Sequence, residues 1–430
     1  MQLDNIQGNI WPGFRKDHQA FVLVRFSEKE SGRAWLRGME PEIASAEEVA
    51  AFNRLFGAIW KRRGRAREQA RVASSTWVNL ALSWEGLGLL AAEDRDAFSE
   101  EFREPFRWAG EGADGGGVHA LVLLAADRRE DLEAELTHQR KRLSDVGIAE
   151  ITTYRGATLP GKMRGHEHFG FRDGIAQPRI EGVPDDSPRG EPGVKPGEFI
   201  LGYENESGQR AADGPPWASD GSFLVFWRLR QHVAVFRRAM RDQAEKLSAE
   251  LTREQLAAKL MGRWPSGELV DERIQPADPQ LPKARAPVPT ADEFRGDAVG
   301  ARFPLCAHIR RANPRDLNEL NKHRLLRRGI PYGEPLADGL LVDDGQDRGL
   351  LFLAYQASIE EQFDFIVEQW LDGGDANFPG GRDAILGDPD KGDVTVAMKG
   401  GSIQLTLPRF VTRLEQGYFF APSISALRQL

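Results

Sequence analysis

The sequence holds a single cysteine, Cys306, which rules out an internal disulfide framework and any zinc cluster built on cysteine. Long apolar runs are missing as well: nowhere do 18 consecutive apolar residues occur, so no transmembrane helix and no membrane partner are expected. The opening stretch, MQLDNIQGNIWPGFRKDH, has neither a basic segment followed by an apolar one nor a twin-arginine pair, and the expected location is therefore the cytoplasm. Positive charge is outnumbered, with 57 Lys and Arg against 65 Asp and Glu and a formal net charge of -8. The resulting pI of about 5.7 argues against nucleic acid as the main partner. What is present is a chain of 430 residues, 40% hydrophobic and 28% charged. Its length allows a large core and favours two or three domains, and a mean hydropathy of -0.47 suits a globular protein.

Apolar, β-branched runs at His18 to Phe26, Thr76 to Leu82 and from Val118 (VHALVLLAA) read as strands, with a further one from Ile148. Helical patterns lie around Gly32 to Met39, Ala46 to Trp60 and Arg95 to Phe102. Another helix is expected to start at Asp127 with Glu130 as its capping pair, bury Leu132, Leu136, Leu143 and Val146, and end at Gly147. The basic run at 61 to 67 reads as a solvated loop. Strand and helix thus alternate, which is compatible with an α+β sandwich. Residues 181 to 221, rich in Pro, Gly and acids, mark a long connection and the expected domain boundary. The pattern then restarts: a strand at Ser222 to Leu229, helices at Gln231 to Leu247 and Thr252 to Met261, and a Pro-rich loop at Gln275 to Phe294. A strand at Gly349 to Gln356 follows, then a helix at Glu360 to Leu371 with Phe363, Ile366, Val367 and Trp370 inward. The two halves read as one plan used twice, although no residue-level repeat supports it.

One window departs from the acidic balance. Leu305 to Gly333, LCAHIRRANPRDLNELNKHRLLRRGIPYG, carries seven cations (Arg310, Arg311, Arg315, Lys322, Arg324, Arg327, Arg328) against two acids (Asp316, Glu319) around His308. Guanidinium groups pair bidentately with carboxylates or phosphates and imidazole ligates metals, so a haem, with its iron and two propionates, suits this window. A solvated basic face with an incidental histidine is the alternative. The second informative stretch is GFRDG, Gly170 to Gly174, which sets Asp173 among glycines where the backbone can turn sharply. A histidine for iron, a carboxylate to move a proton and an arginine to offset negative charge are the parts that cleave a peroxide O–O bond. Cys306, two residues before His308, could be imagined as a thiolate ligand but reads as a small buried hydrophobe. His166 and His168, in HEH, would share one face of a strand and are weak as a metal pair without further ligands. His18, His119, His138, His232 and His323 read as surface or core residues.

NIQGNIWPGFRKDH, HFGFRDGIAQP with its GxxDG signature, PGEFILGY, GRWPSGEL, HIRRANPRD, RRGIPYG, GLLFLAYQASIEEQF and GYFFAPS occur in this order. The ordered set resembles the blocks of the dye-decolorising peroxidase (DyP-type haem peroxidase) family nearly end to end, and more the larger intracellular bacterial members than the encapsulated ones. The resemblance implies an α+β fold of two ferredoxin-like antiparallel-sheet domains with peripheral helices, residues 1–215 carrying the distal GFRDG motif and 216–430 the proximal histidine, with one haem b per chain in the C-terminal half. It makes His308 the proximal iron ligand and Asp173 the distal acid/base. Arg327, four residues before the proline of RRGIPYG, becomes the distal arginine, and Arg315, seven residues after His308, the partner of a haem propionate. Asp383, in RDAILG, is the candidate for the carboxylate behind the proximal imidazole, by looser similarity. Gly329 stands where related proteins carry Asn. The implied activity is reduction of hydrogen peroxide and oxidation of phenols and bulky dyes through an oxoferryl intermediate, with surface Trp or Tyr residues relaying electrons from large dyes. A non-catalytic haem-binding, storage or transfer protein is the alternative, and it would need neither Asp173 nor Arg327. Arg310, Arg311, Lys322, Arg324 and Arg328 keep no assigned chemistry, some of them expected to be solvated, and the oligomeric state is open.

Overall fold

A computed structural model describes residues 1–63, 74–109, 117–184, 193–247, 251–270, 287–317, 319–373, 380–398 and 401–430. Most of the basic run at 61 to 67, much of the Pro-rich loop from Gln275, and some of the connection at 181 to 221 lie outside the described residues.

Four apolar segments of the first half form strands: β1 (His18–Arg25), β2 (Thr76–Leu82), β3 (Ala120–Ala126) and β4 (Ala149–Ala157). They pair antiparallel in the order β4-β1-β3-β2. Between them run α1 (Lys29–Met39), α2 (Ala46–Arg63), α3 (Trp84–Leu90) and α4 (Arg129–Asp145). Helix α4 ends where expected, Gly147 taking φ +68°, and buries Leu132, Leu136 and Leu143. Its start differs from the expectation. Asp127 does not cap it; its Oδ2 instead accepts from Lys16 Nζ at 2.7 Å and from the amide of Ser75 at 2.9 Å, so a tertiary partner has taken the carboxylate. The helix expected over Arg95 to Phe102 is two short 3-10 turns, Arg95–Ala97 and Glu101–Arg103, while the preceding GLGLL is itself helical, within α3.

After the short parallel pair β5 (Arg179–Ile180) and β6 (Gly193–Val194), the second half repeats the plan. Strand β7 (Ser222–Gln231) leads into α5 (Val233–Lys246) and α6 (Arg253–Met261), the latter capped by Thr252 and closed by Gly262 at φ +86°. Then come α7 (Ala291–Arg295), α8 (His308–Arg311), β8 (Leu326–Arg327), β9 (Ile330–Tyr332) and β10 (Gly349–Gln356). Ile359–Leu371 winds as two π-helical stretches, and a hairpin of β11 (Val394–Met398) and β12 (Gly401–Leu405) precedes β13 (Val411–Ala421). The order here is β13-β7-β10, with β8 and β9 on the far side of β10. Numbered within its own half, each set therefore reads 4-1-3-2, the ferredoxin-like order. One backbone pairing, Phe420 with Leu82, joins the two sets into a nine-stranded sheet.

The alternation of side chains decides what each face buries. Phe21, Leu123, Phe226, Leu351 and Leu353 point inward from both halves, and the rings of Phe21 and Phe226 lie 6.1 Å apart although three strands separate β1 from β7 in the sheet. The sheet is thus curled on itself, and its outer face carries the helices on the larger cluster built from Val22, Leu80, Val122, Val225 and Phe420. Curling brings the edge strand β4 against β9, where Gly156 leaves no room: a Cβ there would sit 2.3 Å from Ile330 Cγ2. Gly156→Val is expected to lower stability by roughly 1–3 kcal/mol through overpacking, read as a lower urea midpoint with an unchanged slope.

Candidate active site

The outer face of the second sheet is not fully covered. Trp227 and Leu229 on β7 and Leu350 and Phe352 on β10 line a cavity of about 300 Å³, closed on other sides by Phe363, Ile366 and Val367 of the π-helical segment, by α8 and by the loop from Glu167 to Gln177. Along β10, Leu350 and Phe352 face the cavity whereas Leu351 and Leu353 belong to the inner core, so one face of GLLFLAYQ does line the site.

His308, Asp173, Arg327 and Arg315 all border this cavity. Ala307 precedes α8 and Ala384 N donates to Cys306 O at 2.9 Å, which lays the start of α8 beside residues 383–386. Asp383 is fully buried there, and its Oδ2 lies 2.8 Å from His308 Nδ1. The other oxygen accepts from the amides of Ile385 and Leu386 at 2.7 and 2.8 Å. Burial would raise the Asp383 pKa, but the imidazole and the two amides outweigh it and hold the carboxyl below its ordinary value. Burial likewise works against a charged His308, and the Asp383 carboxylate outweighs it, raising the ring above the usual imidazole range. With Nδ1 occupied, Nε2 is the nitrogen left for the cavity. Asp383, the looser of the sequence-based assignments, is thus brought to His308.

Opposite, Gly170 at φ +100° and Gly174 at φ +66° make the two sharp turns of GFRDG. The Asp173 amide donates to Gly165 O at 3.2 Å, and its carboxylate accepts from the amide of Gly174. Arg327 is placed by β8: its Nη2 donates to Ala176 O at 2.6 Å, while its own N and O pair with the Gln177 side chain at 3.2 Å each. Both charges act on His308, Arg327 lowering and Asp173 raising its affinity for a proton. Gly329 also borders the cavity, and a Cβ there would lie 2.9 Å from Leu351 O, so the backbone of β10 stands where a side chain would begin.

The basic window is largely interior rather than a solvated face. Arg310 is 1% exposed and donates to the carbonyls of Phe294, Asp297 and Phe303 and to Asp316 at 3.0 Å. Arg311, fully buried, donates to Trp370 O at 2.6 Å, and Arg324 is 4% exposed. Arg328 donates to Asn9 O and Ile10 O at 2.9 and 2.7 Å, pinning the N-terminal segment, and burial pushes its pKa down to about 10. Lys322 alone behaves as expected of a surface cation, paired with Glu319 at 2.9 Å. Cys306 is sealed in the core, its thiol pushed up to about 12 by burial, and does not border the cavity. His166 and His168 do not share a strand: His166 makes an isolated bridge with Arg172 and His168 sits in a turn, and each meets a backbone carbonyl, Arg164 O at 3.1 Å and Tyr332 O at 2.8 Å. Sequence reasoning missed Glu167, a half-buried carboxylate in the cavity wall. The signal was available in HEHFGFRDG, which drew attention to its histidines and to Asp173 but not to the carboxylate between the histidines.

A haem would need an apolar slot, a nitrogen ligand with a supported ring, and cations for two propionates. The described residues meet all three: Arg315 is 7% exposed at the cavity, and Arg172, in its wall, keeps a buried Nη1 without a hydrogen-bond partner, which suits an anionic group not belonging to the protein.

Similarity to known proteins agrees with this chemistry. Residues 199–379 match the family described as Dyp-type peroxidase, C-terminal. A dye-decolorizing peroxidase of Mycetinis scorodonius, msp1, is 31% identical over 100% of this chain and 87% of its own length. The chain belongs to the dye-decolorizing peroxidase family. It is an oxidoreductase of the peroxidase class. A multifunctional dye peroxidase of Amycolatopsis sp. is 26% identical over 100% of this chain and 96% of its own, so the likeness extends to fungal and bacterial members alike. The solved structure of a dye-decolorizing peroxidase in complex with 2,6-dimethoxyphenol superposes with a TM-score of 0.78 at 28% identity, covering 100% of this chain and 99% of that one. Its fold confirms the expected α+β, two-domain ferredoxin-like architecture.

Removing Asp383 should be felt before any chemistry. Asp383→Ala leaves His308 and two amides without their acceptor, and the ligand-free protein is expected to lose about 3–5 kcal/mol in urea unfolding. A loss below about 1 kcal/mol would contradict the pairing.

Proposed function

We propose that this chain is a haem b peroxidase that reduces hydrogen peroxide and oxidises phenolic compounds and bulky dyes, with His308, Asp173, Arg327, Arg315 and Asp383 in the roles that the resemblance implies. The observation that carries the reading is the meeting of His308, backed by Asp383, with Asp173 and Arg327 around one cavity. His308 Nε2 would hold the iron, Asp383 keeping the ring oriented, and Arg315 would pair with a propionate. Bound haem supplies two oxidising equivalents, taken from peroxide and passed to organic reductants one electron at a time. Asp173 accepts the proton from one peroxide oxygen and returns it to the other, which leaves as water. Arg327 offsets the negative charge that grows on the departing oxygen, and its hydrogen bond to Ala176 O keeps the guanidinium over the same loop as Asp173. Haem storage or transfer would use neither group, and both border the cavity. Phenols as reductants are supported by the 2,6-dimethoxyphenol complex of the related peroxidase.

The domain limits 1–215 and 216–430 belong to the same proposal, since each domain so defined holds a single 4-1-3-2 set of strands. A cytoplasmic location is proposed on the lone cysteine, which leaves the chain without internal disulfides. No helix among the described residues is long and apolar enough to cross a membrane.

Mixing the ferric holoprotein with one equivalent of hydrogen peroxide is expected to shift the Soret band within the mixing time; an unchanged spectrum removes the peroxidase reading. His308→Ala should purify largely without haem, and a normal haem load would dismiss His308 as ligand. Asp173→Asn should load haem normally yet react with peroxide roughly 10²- to 10⁴-fold more slowly.

A further inference from the structure

Six residues before Asp173 lies Glu167, in the wall of the same cavity. Both its oxygens are taken: Oε1 accepts from the amide of Phe171 at 2.9 Å, and Oε2 from the amide of Phe169 at 2.8 Å and from Gln231 Nε2 at the end of β7. The backbone closes the same circle, Glu167 N donating to Phe171 O and Gly170 N to Glu167 O, each at 3.0 Å. Residues 167–171 are therefore wound around one carboxylate. The rings of Phe169 and Phe171 pack on Phe236 of α5, with centroids 4.6 and 6.5 Å away, so the circle is fixed to the second half of the molecule by aromatic contacts and by Gln231. Asp173 has no comparable support. Among the described residues its carboxylate takes a single hydrogen bond, from the amide of its own neighbour Gly174. Its position thus follows the shape of the loop that carries it, which is held by the Glu167 carboxylate on one side and by the backbone bonds of Asp173 N to Gly165 O and Arg172 N to Pro265 O on the other.

We propose that Glu167 is a positioning residue for the peroxide step: by gathering the amides of Phe169 and Phe171 and the Gln231 side chain, it holds the GFRDG turn so that Asp173 faces the cavity. The inference rests on the reading of Asp173 as the group that moves the proton. Burial pushes the Glu167 pKa up to about 7, its hydrogen bonds pull it down, and the charge of Asp173 adds to the rise, so the two carboxylates lie within electrostatic reach of each other. A carboxylate kept where an uncharged side chain would cost less to bury calls for a role, and two amides of one loop and the Gln231 side chain of β7, all held by it, supply that role.

The test is a double-mutant cycle on the holoenzyme, with the second-order rate constant for peroxide read by stopped-flow absorbance. Glu167→Gln keeps the size but presents an NH₂ to an amide that needs an acceptor. It should slow the reaction roughly 10- to 100-fold, the effect of a small misplacement of a reacting group, with haem content, resting spectrum and reductant KM unchanged. In the Asp173→Asn background the same change should make no further difference, because a residue that acts through Asp173 has nothing left to position. Gln231→Leu, which removes one of the three donors, should give a smaller slowing that also vanishes in that background, and it carries the test if Glu167→Gln fails to fold. A wild-type rate in Glu167→Gln, or a slowing that multiplies with that of Asp173→Asn, overturns the role of Glu167. An Asp173→Asn protein that reacts at the wild-type rate overturns the reading of Asp173 itself, and the role of Glu167 with it.

Discussion

Joining the two halves through one sheet is the constraint from which the site follows. The Phe420–Leu82 pairing sets the strands of one half beside those of the other, and the curl of the combined sheet then brings distant stretches of the chain face to face. The loop that carries Asp173 follows β4 and belongs with the first set of strands; His308 and Arg327 belong with the second. Neither half alone supplies all three of these cavity-lining groups. Among the contacts that cross between them, Gln177 with Arg327, Arg327 with Ala176 and Gln231 with Glu167 gather at the cavity itself, so its geometry is held by hydrogen bonds that also tie the halves together.

Charge is handled differently on the two sides of the cavity. Behind His308 the carboxylate is fully enclosed, and it stays ionised because an imidazole and two amides surround it. In the same window Arg310 and Arg311 are withdrawn from water, and they and Arg328 are given backbone carbonyls that match the directional donors of a guanidinium, Arg310 meeting the Asp316 carboxylate as well. Such groups would each cost several kcal/mol if left bare, so the carbonyls that receive them belong to the scaffold as much as the apolar core does. On the opposite side Asp173 borders the cavity and is exposed.

Much of this was legible in the chain. Long apolar strands such as β1, β3, β7 and β10 announce themselves by composition, and His308, Asp173 and Arg327 sit in motifs whose order identifies the family. Other features depend on partners far away in sequence. Strands β8 and β9 are two and three residues long and exist through their pairing with β10, and β13 begins with a mixed segment containing Arg413 and Glu415 before its apolar YFFA. Asp127 followed by Glu130 satisfies a capping pattern, yet Lys16 arrives from over a hundred residues upstream and claims the carboxylate. Arg310 and Arg311 keep no assigned chemistry in the sequence because nothing local reveals that the carbonyls of Phe294, Phe303 and Trp370 will converge on them. Glu167 was hidden for the same reason, its value lying in amides that the loop supplies after it has folded.

The sealed position of Cys306 has a consequence for how long such an enzyme survives its own work. A thiol two residues from the histidine that faces the cavity stands close to the site proposed to meet peroxide, and sulfur in its thiolate form is readily oxidised. Burial keeps this sulfur protonated at any ordinary pH, and no wall of the cavity exposes it. This sulfur is thereby held out of reach of both the cavity and the solvent, a form of self-protection built from packing alone.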